Sequence, residues 1–189
     1  MSIVKIIITI LVTAILVEFF GYLWHRFSAH LGYAGDGIRK PHYEHHEIYY
    51  PYTDMESEKY RIEGLFNGDS WPWFIPIALM ILMLGILKWK DVISTVTFTV
   101  MCIWIFVHVY LISYIHDSYH IKNHWLNKYS WYKKNKLYHN LHHYYNCNYG
   151  ISNYSMDYLF GTLCTKYDKN KGKANIFDGF TYTKIINNK

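Results

Sequence analysis

Three long apolar blocks, separated by polar and charged stretches, dominate the hydrophobic pattern of this chain. They cover residues 6–24, 71–89 and 92–115. Each block is close to the roughly 20 residues that an α-helix needs to cross the hydrocarbon layer of a membrane. Aromatic residues cluster at several block ends, as they do at membrane–water interfaces. The pattern therefore predicts transmembrane helices at about 3–24, 71–89 and 92–115.

Other interpretations of the apolar blocks fit less well. Buried helices of a soluble core are excluded by size, because a chain of 189 residues cannot surround three such helices. The first block also differs from a cleaved signal peptide, because it is long and is followed by Glu18, Phe19 and Phe20 instead of small residues. We therefore expect an integral, multi-pass membrane protein that retains its first helix.

The distribution of basic residues predicts the orientation in the membrane. Only the segment LKWKD at 87–91 separates the last two blocks, so they are predicted to form a helical hairpin with both feet on one side. Lys5, Lys88 and Lys90 lie on the opposite side, and the other 16 of the 19 Lys and Arg residues lie on the shared side. Because positive charge is concentrated on the cytoplasmic side of membranes, the shared side is predicted to be cytoplasmic.

The remaining segments predict one domain spanning residues 1–189, with a helical cap on the cytoplasmic side. The cap comprises residues 25–70 and 116–165. Residues 166–189 are polar and basic, and we expect a loose tail that touches anionic lipid. The chain has three cysteines, no CxxC pair and a formal charge of +5 at pH 7. An odd number of thiols facing a reducing compartment argues against a disulfide framework.

The histidines point to chemistry. The chain has 12, and ten of them fall in four boxes, WHRFSAH, KPHYEHHE, YIHDSYH and LYHNLHH, all on the predicted cytoplasmic side. The ten are His25, His30, His42, His45, His46, His116, His120, His139, His142 and His143. Residues i, i+3 and i+4 share a helix face, so each HxxHH box is expected to aim three imidazoles at one locus. His25 and His30, about 140° apart on an ideal helix, are expected to face different metals or to be separated by a helix end.

Four boxes from four segments predict a cage around two metal ions, with about five imidazole ligands each. Imidazole binds zinc, copper, iron and nickel, so the ligand type does not select the metal. The other two histidines, His108 and His124, are interpreted as ordinary packing residues. A zincin-type protease is disfavoured because HExxH is absent, and a bis-histidine haem does not need clustered triplets. A transporter would carry ionisable residues near the membrane midplane.

In type and order, the four boxes resemble those of the fatty acid hydroxylase/sterol desaturase superfamily of membrane di-iron oxygenases. The resemblance covers roughly residues 18–162, with the hairpin between the second and third boxes. The segment HNLHHYYNCNYG at 139–150 is similar to the last box of sterol C5-desaturases. SMDYLFGT at 155–162 is similar to the family's WDxLFGT, with Met156 where tryptophan is usual. HDSYH at 116–120 resembles the third box of short bacterial carotenoid hydroxylases. Only one helix precedes the first box, whereas family members commonly have a further one.

The resemblance implies an O2-dependent enzyme that hydroxylates or desaturates a C–H bond of a sterol, fatty acyl lipid or carotenoid. It implies the ten box histidines as ligands of two iron ions. Zinc can substitute for iron in purified protein, because imidazole cages accept it readily. Asp117 and Glu44 either orient these ligands or are solvated charges. Electrons would come from a separate cytochrome b5-like or ferredoxin-like donor, and no nucleic-acid partner is expected.

The resemblance also implies a location, with an alternative function left open. The active site would face the cytoplasm, from the endoplasmic reticulum of a eukaryote or the inner membrane of a bacterium. The alternative is a non-catalytic membrane metal-binding protein, or a regulatory paralogue of such an enzyme. Redox-silent zinc would favour that alternative.

Overall fold

The computed structural model describes residues 2–62, 70–168, 172–174 and 177, and this part of the chain is helical with no β-strand. The α-helices are α1 (Ile3–Leu23), α2 (Asp36–Glu44), α3 (Phe74–Trp89), α4 (Thr95–Tyr119), α5 (Ser130–His142) and α6 (Ser155–Leu159). Two π-helical segments, Trp24–His30 and His45–Tyr49, continue α1 and α2. Two 3-10 segments, Trp71–Trp73 and Trp125–Lys128, precede α3 and α5. The all-α class predicted from the sequence is confirmed.

Three helical segments of the described chain are long and apolar enough to cross a membrane, as predicted. They are Ile3–His30, Trp71–Trp89 and Thr95–Tyr119. The last begins at Thr95, later than the predicted residue 92, because Ser94 caps it by accepting a 3.1 Å hydrogen bond from the Thr97 N–H. It also continues past residue 115 to Tyr119, which places His116 inside the helix.

The three long helices share an apolar core in which α4 packs against both α1 and α3. The buried residues of this core are Val17, Ile77, Met80, Leu84, Met101 and Ile105. On the outer faces, large apolar side chains such as Ile7, Leu11, Leu82 and Ile103 are more than half exposed. Such a surface is costly in water but suits lipid. The helices are thus arranged as a membrane bundle with a small internal core.

The described part of the basic tail is attached to the cap, which differs from the loose tail that we expected. Lys173 Nζ lies 2.6 Å from Glu47 Oε1, and the Ala174 N–H donates a 2.9 Å hydrogen bond to the Tyr144 carbonyl. Phe177 is buried at 3% exposure. A salt bridge, a backbone hydrogen bond and an aromatic contact therefore hold this segment. The rest of the predicted tail beyond residue 168 lies outside the described residues.

Candidate metal centre

Nine buried histidines form two adjoining groups where the ends of α1 and α4 meet α2 and α5. The first group is His25, His30, His42, His46 and His142. The second group is His45, His120, His139 and His143. Within each group, one ring nitrogen from every histidine lies within 4.8 Å of all the others. The fold therefore brings together nine of the ten histidines that the sequence singled out.

The nitrogens of the first group converge closely on one another. His42 Nε2 lies 2.9 Å from His25 Nε2, 2.9 Å from His30 Nε2 and 3.0 Å from His46 Nε2. His30 Nε2 in turn lies 3.1 Å from His142 Nε2. One imidazole nitrogen carries at most one proton, so these contacts cannot all be hydrogen bonds. Hydrogen bonding alone therefore does not account for the close approach of these nitrogens.

The ring nitrogens of the second group also converge, and the two groups are in direct contact. His139 Nε2 lies 3.0 Å from His120 Nε2 and 3.2 Å from His143 Nε2. The His45 ring centroid lies 4.8 Å from that of His120. Across the boundary between the groups, the His143 ring stacks on His46 at a centroid distance of 4.0 Å. Ions held by the two groups would therefore be near neighbours.

Backbone carbonyls set the tautomer of several of these rings. Four Nδ1 atoms donate to carbonyl oxygens: His25 to Tyr149 (2.7 Å), His142 to Cys147 (2.7 Å), His120 to Met55 (2.8 Å) and His143 to Tyr50 (3.0 Å). Because the proton of a neutral imidazole is then on Nδ1, Nε2 presents a lone pair to the centre of the group. The same arrangement orients metal-ligating histidines in general.

Converging lone pairs about 3 Å apart repel one another unless a cation lies between them. Ligands at right angles around an ion, at a metal–nitrogen distance of about 2.1 Å, lie about 3.0 Å from each other. The observed separations of 2.9–3.2 Å match that spacing. The residues of both groups therefore fit a metal ion, and imidazole is a suitable ligand for iron as well as for zinc, copper and nickel.

Burial keeps these imidazoles neutral. Removal from water, followed by the proximity of other imidazoles, lowers the pKa of six of them well below the usual 6.5. They are His42, His46, His120, His139, His142 and His143. A neutral ring is the form that binds a metal ion. At neutral pH these six rings are therefore in the state required for ligation.

The structure corrects the expectation that each HxxHH box aims at one locus. His42 and His46 belong to the first group, whereas His45 belongs to the second. The last box divides in the same way, with His139 and His143 in the second group and His142 in the first. On a helix, residue i+4 lies about 40° from residue i, whereas i+3 lies about 60° away on the other side. The i, i+4 pair therefore shares a group, and the i+3 residue faces the other one.

The expectation for His25 and His30 was also wrong. Both belong to the first group, and their ring centroids lie only 5.0 Å apart. They lie within the π-helical segment Trp24–His30, where i→i+5 hydrogen bonds place residues five apart one above the other. The five-residue spacing of this box thus matches a π-helix and not an α-helix.

His116 lies beside the second group without joining its converging nitrogens. Its ring centroid is 4.8 Å from that of His45 and 4.9 Å from that of His139. Its Nδ1 lies 3.3 Å from Asp117 Oδ1, so Asp117 contacts one of the predicted ligands. Glu44 lies 3.9 Å from Lys40 in an ion pair on the surface of α2.

The two histidines left out of the predicted ligand set lie elsewhere. His108 Nε2 donates a 2.9 Å hydrogen bond to Glu18 between α1 and α4. The His124 ring lies 5.7 Å from that of Tyr114, near the start of α5. Neither belongs to a metal-binding group among the described residues.

Sequence reasoning missed the groups that orient the ligands. The orienting acceptors are main-chain carbonyls, which no residue pattern reveals. The Tyr149 carbonyl is itself fixed by Asp157, a fully buried carboxylate that accepts 2.7 Å hydrogen bonds from the N–H groups of Tyr149 and Gly150. Burial raises the pKa of Asp157, and these hydrogen bonds oppose that shift. The segment SMDYLFGT at 155–162 was the only signal for this residue.

Aromatic rings close the site from several sides. Tyr50 stacks on His120 at 3.9 Å between centroids, and Phe177 stacks on His30 at 5.1 Å. Tyr149 lies 5.3 Å from the same His30 ring. Such a wall excludes water and strengthens electrostatic interactions inside it.

Comparison with known proteins gives one match. A family model described as fatty acid hydroxylase matches residues 10–162, which include all four histidine boxes and most of the membrane bundle. Neither a curated protein nor a solved structure matches the chain.

Proposed function

The chain belongs to the fatty acid hydroxylase family, and we propose that it is a membrane di-iron oxygenase acting on a lipid C–H bond. The observation that carries the proposal is the pair of adjoining histidine groups, whose Nε2 atoms meet at 2.9–3.2 Å. The centre lies where two of the three apolar helices, Ile3–His30 and Thr95–Tyr119, end, which supports an active site at one end of a membrane bundle. Family and geometry together support an oxidoreductase whose substrate comes from the bilayer.

The proposed reaction has two possible outcomes that share the same inputs. When bound, the two iron ions supply the ability to activate O2 with two electrons from outside. In hydroxylation, R–H, O2, two electrons and two protons give R–OH and one water. In desaturation, the same inputs and a saturated CH2–CH2 unit give CH=CH and two waters. The chain's own residues decide which C–H bond is presented.

Each part of the centre has a proposed role. The nine clustered histidines hold the ions, eight of them through the converging Nε2 atoms and His45 through one of its ring nitrogens. His116 is the tenth ligand, because its ring adjoins the second group at 4.8–4.9 Å. The main-chain carbonyls that accept from Nδ1 keep the rings oriented. The aromatic wall of Tyr50, Tyr149 and Phe177 keeps bulk water away from the reacting bond.

The partners and orientation follow from charge and location. The excess of Lys and Arg on the side of the histidine centre supports a cytoplasmic active site. A separate one-electron donor is proposed on that side. The substrate is proposed to be a sterol, a fatty acyl lipid or a carotenoid. The similarity of segment 139–150 to sterol C5-desaturases favours the sterol.

The proposal is tested by lipid mass spectrometry on cells grown under labelled O2. The cells express the wild-type chain, His142→Ala, or His124→Ala as a matched control outside both groups. We expect a labelled alcohol, or a lipid lighter by two hydrogens, with the wild type and His124→Ala only. Equal product from His142→Ala would contradict the assignment of the centre.

Metal analysis separates the enzyme from its non-catalytic alternative. Protein purified without added metal is expected to hold close to two iron ions per chain and to change its optical spectrum on reduction and exposure to O2. Redox-silent zinc in protein from native-level expression, together with unchanged lipids, would instead identify a metal-binding protein without oxygenase activity.

A further inference from the structure

A polar pair lies between the membrane helices, below the histidine centre. The Glu18 side chain on α1 is 10% exposed and the His108 side chain on α4 is 17% exposed. His108 Nε2 donates a 2.9 Å hydrogen bond to Glu18 Oε1. Ionisable groups are costly in a membrane segment and commonly mark function. The metal centre as described above makes no use of this pair.

The same carboxylate oxygen also reaches the cap. Ser152 Oγ donates a 2.5 Å hydrogen bond to Glu18 Oε1, although the two residues are 134 positions apart in the chain. One oxygen atom of Glu18 therefore joins α1, α4 and the loop that follows the last histidine box. Because both donors converge on one atom, the shared acceptor fixes them relative to each other.

The loop that Glu18 holds is the one that orients a predicted ligand. We call residues Tyr149–Ser152 the bridging loop. Its first carbonyl, on Tyr149, accepts the 2.7 Å hydrogen bond from His25 Nδ1. Its last carbonyl, on Ser152, accepts a 2.7 Å hydrogen bond from Asn135 Nδ2 on α5. Glu18 anchors the far end of this short loop, and His25 is oriented by its near end.

We propose that Glu18 is a positioning residue, which locks the bridging loop to the α1–α4 pair and thereby fixes the orientation of His25 at the metal centre. This inference rests on the proposed function, since it assigns a role to the membrane pair in the same centre. Glu18 and His25 are seven residues apart on one helix, about two turns. The loop contact thus supplies a second link that prevents the His25 ring from turning.

The test compares three variants with one control. Glu18→Ala removes the acceptor and Ser152→Ala removes the donor of the hydrogen bond that anchors the bridging loop. Glu18→Gln keeps an acceptor oxygen for both donors and is expected to behave like the wild type. The control is Thr13→Val, because Thr13 is also on α1 and is buried, and its hydroxyl donates to the Thr9 carbonyl within the helix.

Two readouts are measured on the full chain in detergent. Hydrogen–deuterium exchange of the bridging-loop amides is followed in metal-free protein. We expect exchange to be about tenfold faster in Glu18→Ala and Ser152→Ala, the factor for loss of one well-made hydrogen bond. The visible spectrum of cobalt-loaded protein is expected to change in the same two variants, because it reports ligand geometry. Glu18→Gln and Thr13→Val should match the wild type in both.

The outcomes distinguish this inference from the proposed function. Unchanged exchange and an unchanged cobalt spectrum in Glu18→Ala would overturn the positioning role, and so would equal effects of Thr13→Val. If Glu18→Ala does not fold, Ser152→Ala decides by the same readouts. If the wild type binds neither iron nor cobalt, the proposed function fails, while the exchange data still decide whether Glu18 anchors the loop.

Discussion

Replacement of Gly150 by alanine tests how tightly the bridging loop is packed. An added Cβ would lie 2.2 Å from the Asn153 carbonyl oxygen and 2.9 Å from Asp157 Oδ2. The nearest neighbour is backbone, so no flexible side chain can move aside. The loop must therefore shift by about 0.8 Å simply to reach the shortest Cβ contacts found in proteins, near 3.0 Å.

A shift of this size has a cost that can be worked out from the structure. The Gly150 N–H donates a 2.7 Å hydrogen bond to Asp157, and the neighbouring Tyr149 carbonyl accepts the 2.7 Å bond from His25. A displacement of about 0.8 Å lengthens either bond beyond useful range. Overpacking costs about 1–3 kcal/mol, and a hydrogen bond to a charged group about 1.5–3 kcal/mol. We therefore expect Gly150→Ala to lower the free energy of unfolding by about 2.5–6 kcal/mol.

The assay combines thermal unfolding in detergent with metal content. For a chain of this size, at about 2–4 °C per kcal/mol, the expected loss corresponds to a Tm lower by roughly 5–24 °C. The content of bound metal should fall as well, because His25 loses its orienting acceptor.

Gly37→Ala is the matched control, since an added Cβ there meets nothing within 4 Å. In helix α2 it should leave stability unchanged or raise it by about 0.5–1 kcal/mol. Equal Tm and metal content in Gly150→Ala and the wild type would refute the packing argument.

Three further results are expected. In the folded chain, burial lowers the pKa of six histidines, among them His42 and His143. Their pKa returns to about 6.5 on unfolding, so the unfolded chain binds more protons in acid than the folded chain does. Metal-free protein should therefore keep its full stability above pH 6.5 and lose it as the pH falls below that value, whereas a Tm that is constant from pH 7.5 to 5 would contradict their burial. Phe177→Ala should speed the removal of metal by a chelator, because Phe177 covers His30; a release rate equal to that of the wild type would show that the tail does not shield the site. His45→Ala and His142→Ala should each remove about half of the bound metal, since each affects a different histidine group. Loss of all bound metal from either variant would show one coupled site.

Much of the fold could be read from the sequence because its signals are local. Twenty apolar residues in a row have few structural solutions, and the short segment at 87–91 permits only a hairpin. The histidine boxes were equally visible, since ten histidines in four boxes have no ordinary packing explanation. The helix bounds were less predictable, because the cap at Ser94 and the continuation of α4 to Tyr119 depend on individual hydrogen bonds.

The sequence did not reveal how the histidine ligands are divided between the two groups. The spacing of His25 and His30 was misread because an ideal α-helix was assumed, and a π-helical segment changes which residues share a face. The i+3 histidine of each HxxHH box faces the other group, and this becomes evident only when all four segments are placed together. The orienting carbonyls and the link from Glu18 to Ser152 join positions far apart in the chain.

By itself, the sequence determined the membrane helices, the hairpin and the identity of the ligand-bearing boxes, because these depend on residue type and short-range spacing. The tertiary structure alone decided which nitrogens meet, which tautomers the carbonyls impose and how the tail covers the centre. Those features depend on contacts between segments far apart in the chain, such as His25 and Tyr149, which are 124 residues apart. Such contacts are set by packing, which no local pattern encodes.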